Sequence, residues 1–160
     1  MNPAADSSKH RLGRLRPFAL IAAVAGAFAL ASDSVADGAG ARTKIRIRIG
    51  GRTFTATVAE NKTARDFVSL LPLTLPMHDL FGREKAAPLP RALASGGKPR
   101  HTHAVAEIIY WPPGPDIAVY YRAGGPRIPD PGVVPLARLD SGAHAFNKPG
   151  PVRVRLERIR

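Results

Sequence analysis

The sequence contains no cysteine, so neither disulfides nor a thiolate-bound zinc ion can stabilise its fold. It also contains no glutamine and only one tryptophan, Trp111. Acidic residues are scarce: 12 Asp and Glu stand against 24 Lys and Arg, which gives a formal net charge of +12. A hydrophobic core must therefore hold the fold, and a partner attracted by charge alone is expected to be anionic.

The beginning of the chain has the pattern of a secretory signal peptide. A basic stretch comes first, with Lys9, Arg11, Arg14 and Arg16. An uncharged, alanine-rich run follows at 18–31, and Ser34 and Ala36 supply the small residues of a cleavage site. Cleavage after Ala31 is an alternative, and so is an uncleaved anchor, although the run is shorter than the ~20 residues that a membrane span needs.

We therefore predict three segments: a signal peptide at 1–36, a flexible segment at 37–43 and one domain at 44–160. The domain is large enough to bury a core of its own. The predicted location is outside the cytoplasm, periplasmic or secreted.

Short alternating segments predict β-strands. In 44–49 isoleucines alternate with basic residues, and Gly50-Gly51 predicts a tight turn into a second strand at 52–59. Further strands are predicted at 107–111, 117–122, 133–139 and 152–156. The last of these mirrors the first, because apolar and basic residues alternate in both.

One helix is predicted at 63–71, with Thr63 as its N-cap and Pro72 ending it. Its apolar stripe includes Phe67, which we expect to be buried. Residues 82–103 look loop-rich, because proline and glycine recur there. Many short strands with a single helix predict a mainly β protein that forms a closed barrel or a sandwich.

Several short motifs, in this order, resemble those of the bacterial cyclophilin-like proteins, a family of small β-barrels. The motifs are Asn61-Lys62-Thr63-Ala64, Leu70-Leu71-Pro72-Leu73-Thr74, Gly82-Arg83-Glu84-Lys85, Leu89-Pro90, Tyr110-Trp111-Pro112-Pro113-Gly114, Ala118-Val119-Tyr120-Tyr121, and Val134–Leu139 with Ser141-Gly142. The resemblance covers about residues 44–160 and implies a closed cyclophilin-like barrel. It implies no particular activity, because the chain lacks glutamine and the other strings associated with prolyl isomerases.

Aromatic residues concentrate on two predicted neighbouring strands, at Tyr110, Trp111, Tyr120 and Tyr121. Core packing explains such a cluster, but the wall of a binding groove is the functional alternative. Since strand residues alternate between faces, one member of each adjacent pair should be available to solvent or ligand.

We therefore predict a non-catalytic module that binds a small molecule or an extended peptide. Its candidate site residues are Tyr110, Trp111, Tyr121, Arg122, Glu84 and Arg65. The alternative is a prolyl isomerase or another enzyme that uses Arg65, Glu84 or Arg122.

Other chemistries find less support in the sequence. His101 and His103 could contribute to a metal site with His78 and Asp79, but the simpler interpretation is that they are loop histidines. We expect no cofactor and no nucleic-acid partner. The basic strands leave open an anionic membrane or cell-wall surface as a partner, with Arg46, Arg48, Arg153 and Arg155 on one outer face.

Overall fold

The computed structural model describes residues 42–159. The predicted signal peptide therefore lies outside the described residues, as does most of the segment 37–43. Within residues 42–159 no helix has the length and apolar character needed to cross a membrane.

The described chain forms a closed barrel of eight antiparallel strands with one α-helix. The strands are β1 (Lys44–Ile49), β2 (Arg52–Val58), β3 (Leu73–Leu80), β4 (Glu84–Pro88), β5 (Glu107–Trp111), β6 (Asp116–Tyr120), β7 (Val134–Leu139) and β8 (Val152–Arg158). Around the barrel they follow the order β1-β2-β7-β5-β6-β4-β3-β8. The predicted mainly β barrel is therefore confirmed.

The alternating pattern of the first strand explains its place in the barrel. Ile45, Ile47 and Ile49 are buried in the interior, while the basic residues between them face outward. Gly50 and Gly51 have φ of +54° and +76°, the left-handed conformations that a tight hairpin turn requires. The hairpin predicted from the sequence is therefore confirmed.

The first and last strands pair, which places basic residues next to one another on the outer face. Arg48 lies directly opposite Arg155. Glu157 separates their charges: one carboxylate oxygen accepts a hydrogen bond of 2.9 Å from Arg155 Nε, and the other lies 3.2 Å from Arg48 Nε. Two like charges can face each other here because an acid lies between them.

The α-helix, α1, spans Lys62–Ser69, slightly earlier than the predicted 63–71. The prediction of Thr63 as the N-cap was wrong: Asn61 caps the helix, its side chain accepting a hydrogen bond of 2.8 Å from the Ala64 amide. Thr63 lies inside the first turn and donates to the carbonyl oxygen of Ala94 instead. Phe67 is fully buried in the barrel's core cluster, as predicted.

Two strands, β3 and β4, were not predicted. Strand β4 falls within the segment 82–103 that looked loop-rich, and both charged residues that open it, Glu84 and Lys85, are buried. Lys85 points inward, where its ammonium group donates to Asp79 (2.9 Å) and to the carbonyl oxygens of Lys148 (2.6 Å) and Gly150 (2.8 Å). The ammonium group thus has a partner for each of its three protons.

Candidate functional site

A cleft of about 380 Å³ lies on the outer face of β4, β6 and β5. This volume is within the range of small-molecule sites, roughly 300–1,000 Å³. Strand alternation supplies its floor with Ala86, Ile109 and Ala118, while the neighbouring residues of the same strands face the core. The full lining is Leu80, Phe81, Arg83, Glu84, Ala86, Ile109, Trp111, Asp116, Ala118, Tyr120, Pro126, Arg127, Ile128, Pro129 and Val133.

A proline-rich loop after β6 forms one side of the cleft. Its Ile128 is buried with Ile109, Ala118 and Tyr120 in a small apolar cluster that is separate from the barrel's core. The Ile128 amide donates to the carbonyl oxygen of His101 at 2.9 Å, which ties the loop down. The ring Nδ1 of His101 also lies 2.9 Å from the carbonyl oxygen of Ile128. The sheet and this loop thus enclose apolar space that the core does not use.

One end of the cleft is polar. Glu84 is only 4% exposed, and this burial raises the pKa of its carboxyl group. A hydrogen bond with the Tyr120 hydroxyl and the positive charge of Arg83 act in the opposite direction. Arg83 Nε lies 3.6 Å from Glu84 Oε1 and has no hydrogen-bond partner. This end therefore holds a carboxyl group that keeps its proton to a higher pH than an ordinary surface glutamate does.

Tyr120 is held in place by the stacked ring of His103. The two ring centroids are 3.7 Å apart and their planes differ by 13°. Burial raises the pKa of the Tyr120 hydroxyl, and the nearby Glu84 charge raises it further, so Tyr120 stays a neutral hydrogen-bonding group. Burial lowers the pKa of His103, and the positive charge of Arg83 adds to this effect. An uncharged imidazole therefore covers Tyr120 at neutral pH.

The opposite end of the cleft is formed by Trp111 and Asp116, which are direct partners across β5 and β6. Burial raises the pKa of the Asp116 carboxyl group. Arg127, from the proline-rich loop, also lines the cleft. The cleft thus combines an apolar floor with a carboxyl group at each end, and Arg83 and Arg127 are also part of its lining.

Two apolar residues lie at the mouth of the cleft: Leu80, the last residue of β3, and Phe81, the first residue of the turn to β4. We call this pair the lip. They are 40% and 74% exposed, respectively. Phe81 has a φ of +54°, which a residue with a bulky side chain rarely adopts. Its ring lies 5.0 Å from the guanidinium carbon of Arg83.

The structure brings two of the six predicted site residues, Trp111 and Glu84, into the cleft. Tyr110 and Tyr121 point into the barrel instead and belong to its core cluster. The Tyr110 hydroxyl accepts from the Leu93 amide at 3.1 Å, and the Tyr121 hydroxyl donates to Asp79 at 2.6 Å. Both hydroxyl groups therefore have structural partners.

The two predicted arginines lie elsewhere. Arg122 donates to the side chain of Asn147 at 3.3 Å, and its side chain does not line the cleft. Arg65 lines a separate pocket of about 460 Å³ with Glu60 and Val68. The structure does not bring Arg65 together with Glu84.

The two histidines of the His101-Thr102-His103 segment have protein partners. His101 contacts Ile128 and lies 3.5 Å from Asp130, while His103 stacks on Tyr120. Within residues 42–159 no three His, Asp or Glu side chains are grouped closely enough to hold a metal ion.

Sequence reasoning missed Tyr120, Arg83, Asp116 and the lip as parts of the site. Strand alternation could have identified Tyr120 and Asp116. Together with Ala118 they lie on one face of β6, and Asp116 is the direct partner of Trp111. No local pattern could have identified Arg83 or Phe81, since they reach the cleft from the turn between two strands that were not predicted.

Comparisons with known proteins agree with this architecture. A family model described as the cyclophilin-like family matches residues 47–157. A search of the curated proteins finds no significant match.

Two solved structures share the fold. The solution structure of the hypothetical protein AF2241 from Archaeoglobus fulgidus superposes with a TM-score of 0.54 at 18% identity, over 74% of this chain and 95% of that one. The structure of McbB in complex with tryptophan gives a TM-score of 0.54 at 16% identity, over 71% of this chain and 44% of that one. Because the family model covers most of the barrel, the chain belongs to the cyclophilin-like family.

Proposed function

We propose that this protein is an exported binding module that holds a small molecule with an aromatic, apolar body in the cleft. The observation that carries the proposal is an apolar cleft of about 380 Å³ outside the core, with Trp111 at one end and Tyr120 at the other. Aromatic residues that combine apolar area with a polar group are typical of ligand sites.

The alternating strands support the same proposal. The alanine side chains of Ala86 and Ala118 leave space above the sheet that larger residues would fill. The polar groups lie at the two ends, where they can orient a ligand but do not fill the apolar space between them. An apolar body with a polar group at one or both ends fits this distribution best.

The arrangement gives less support to the alternative of an enzyme. Of the three residues considered for catalysis, only Glu84 lines the cleft, whereas the side chains of Arg65 and Arg122 do not. Binding therefore needs fewer assumptions than a reaction.

Export rests on the pattern of residues 1–36, with its basic stretch, apolar run and small residues before Asp37. In this proposal the binding domain acts outside the cytoplasm. Mass spectrometry of the exported protein should give Asp37 as its first residue. A protein that keeps Met1 would contradict cleavage.

The single tryptophan makes the binding proposal easy to test, because its fluorescence reports directly on the cleft. We suggest titrating the protein with the fluorescent probe 8-anilinonaphthalene-1-sulfonate, which has aromatic rings and an anionic group. Since one protein of the same fold has been solved with tryptophan, indole derivatives are suitable competitors. The expected result is saturable binding of the probe with a change in Trp111 emission.

The variant Ala118→Leu should fill the floor of the cleft and weaken probe binding about tenfold or more, which corresponds to ~1.4 kcal/mol. Thr74→Leu is the matched control, because Thr74 is exposed on β3 and does not line the cleft. Equal probe affinity in both variants would contradict a binding site in the cleft. Melting temperatures and near-ultraviolet circular dichroism should show that both variants are folded.

A further inference from the structure

Phe81 combines two unfavourable features in one residue. Its φ of +54° lies in the left-handed region, which disfavours large side chains, and its side chain is 74% exposed to solvent. Gly82, the next residue, has a φ of +62°. Two successive residues with positive φ are typical of hairpin turns in which Asn-Gly is the preferred pair. The turn would therefore form more easily with asparagine in place of Phe81.

The contacts of the turn do not require the aromatic ring. The Gly82 amide donates to Asp79 Oδ1 at 3.0 Å, and the Arg83 amide donates to the carbonyl oxygen of Leu80 at 3.3 Å. Both bonds involve backbone groups or the aspartate, so the side chain at position 81 takes no part in them. The ring's contact with the Arg83 guanidinium group, at 5.0 Å, is weak at such an exposed position.

The position of the ring suggests what it does. Phe81 lines the mouth of the cleft at the end that holds Arg83, Glu84 and Tyr120. One side of the ring lies near Arg83, while most of its surface is open to solvent. Unfavourable backbone conformations that persist in folded proteins cluster at active sites, ligand sites and switch regions.

We propose that Phe81 determines the specificity of the cleft by stacking against an aromatic ring of the bound molecule. This inference rests on the proposed function and deepens it, since it selects planar aromatic compounds from the apolar molecules that would fit. In this arrangement Phe81 covers one end of the ligand, and Leu80 extends the apolar contact beside it.

The test measures both stability and probe binding in the same variants. If the proposal is correct, replacing the ring should raise stability and weaken binding. Phe81→Asn should raise the melting temperature, since asparagine suits the turn and removes an exposed apolar group. The same variant should weaken binding of 8-anilinonaphthalene-1-sulfonate by about fivefold, a value within the usual range for one aromatic pair. A ring with a purely structural role would give lower stability and unchanged binding.

Two further variants separate ring stacking from general apolar contact. Phe81→Tyr keeps the ring and should bind the probe within about twofold of the parent protein. Phe81→Leu keeps apolar area without a ring and should lose most of the affinity that Phe81→Asn loses. Unchanged binding in Phe81→Asn, or full binding in Phe81→Leu, would overturn the inference.

The Ala118→Leu variant distinguishes this failure from failure of the proposed function. If Ala118→Leu weakens binding but Phe81→Asn leaves it unchanged, the cleft is a site and Phe81 is not its specificity residue. If neither variant affects binding, the probe binds elsewhere and the proposed function fails as well.

Discussion

Glu84 and Lys85 are neighbours in β4 and both are buried, yet they lie on opposite faces of the barrel wall. Lys85 faces the interior, is fully buried and donates hydrogen bonds to three oxygen atoms. Glu84 faces the cleft, where Arg83 Nε lies 3.6 Å away, beyond the usual hydrogen-bonding distance. The same strand thus carries one charged group whose bonding capacity is filled and one whose capacity is only partly used.

The difference separates a structural polar group from one that is available to a ligand. A buried ammonium group is stable only when hydrogen bonds replace its water, and Lys85 meets that condition within the chain. Glu84 meets it only in part, so its carboxyl group shifts towards the neutral form. A ligand in the cleft could supply the missing partner, whereas a ligand could add nothing to Lys85.

The largest expected effect comes from removing the inner charge. Lys85→Ala should lower the free energy of unfolding by about 3–5 kcal/mol, because it empties the space of a fully buried side chain and leaves two carbonyl oxygens without their donor. Urea unfolding measures this loss. Lys98→Ala is the control, since Lys98 is exposed and should change stability by less than about 0.5 kcal/mol. A loss below about 1 kcal/mol for Lys85→Ala would mean that the inner network is not structural.

A smaller effect is expected from two adjacent tyrosines that also face opposite sides of the barrel wall. Tyr120, the last residue of β6, faces the cleft, and Tyr121 faces the interior. Tyr121→Phe removes the hydrogen bond to Asp79 in the interior network and should cost about 1 kcal/mol, since the partly exposed aspartate can bind water instead. Tyr120→Phe removes the hydrogen bond to Glu84 and, unlike Tyr121→Phe, should alter probe binding in the cleft. Urea unfolding and probe titration of both variants measure these effects. Altered probe binding in Tyr121→Phe but not in Tyr120→Phe would contradict the assignment of Tyr120 to the cleft.

The smallest expected effect is a gain in stability from Glu84→Gln. Because the pKa of Glu84 is raised in the folded protein, the folded state binds this proton more tightly than the unfolded state. Ionisation above that pKa therefore opposes folding, and a neutral glutamine avoids this cost. The melting temperature of the variant should exceed that of the parent protein at pH 7.

The same linkage fixes the pH dependence of this gain. As the pH falls through the raised pKa towards the ordinary glutamate value, Glu84 becomes protonated in both states and the advantage of glutamine should disappear. Melting temperatures of the parent protein and of Glu84→Gln at pH 7 and pH 4 would measure how this stability advantage changes with pH. An advantage that grows at low pH would have the wrong sign for a buried acid.

The sequence was sufficient to predict those strands whose pattern is local. Strands β1, β2 and β8 alternate so regularly that their inward and outward faces, and the hairpin of β1 with β2, could be predicted from the sequence. Strand β3 contains Pro76, which argues against a strand in general, but here the proline faces outward opposite Arg153. Strand β4 begins with two charged residues, and only the surrounding barrel explains why both are buried.

The candidate site could be predicted only in part, because it is assembled from segments far apart in the chain. Trp111 and Glu84 were identified from their residue types and their motifs. The assignment of Tyr110 and Tyr121 to a groove depended on the phase of the alternation, which no local feature of the sequence fixes. Tyr120, which the structure places in the cleft, is hidden from solvent by His103, a stacking contact between residues 17 positions apart in sequence.

Closure of the barrel also limits how a partner chain could attach. Each of the eight strands described at residues 44–158 has a neighbour on both sides, and β8 returns to β1. An unpaired strand edge would allow a foreign peptide, or a second copy of the chain, to add its backbone to the sheet. Here such an addition would first require two strands to separate. A peptide that binds the barrel described here would therefore be held by contacts other than strand addition, made by the side chains and loops on its surface.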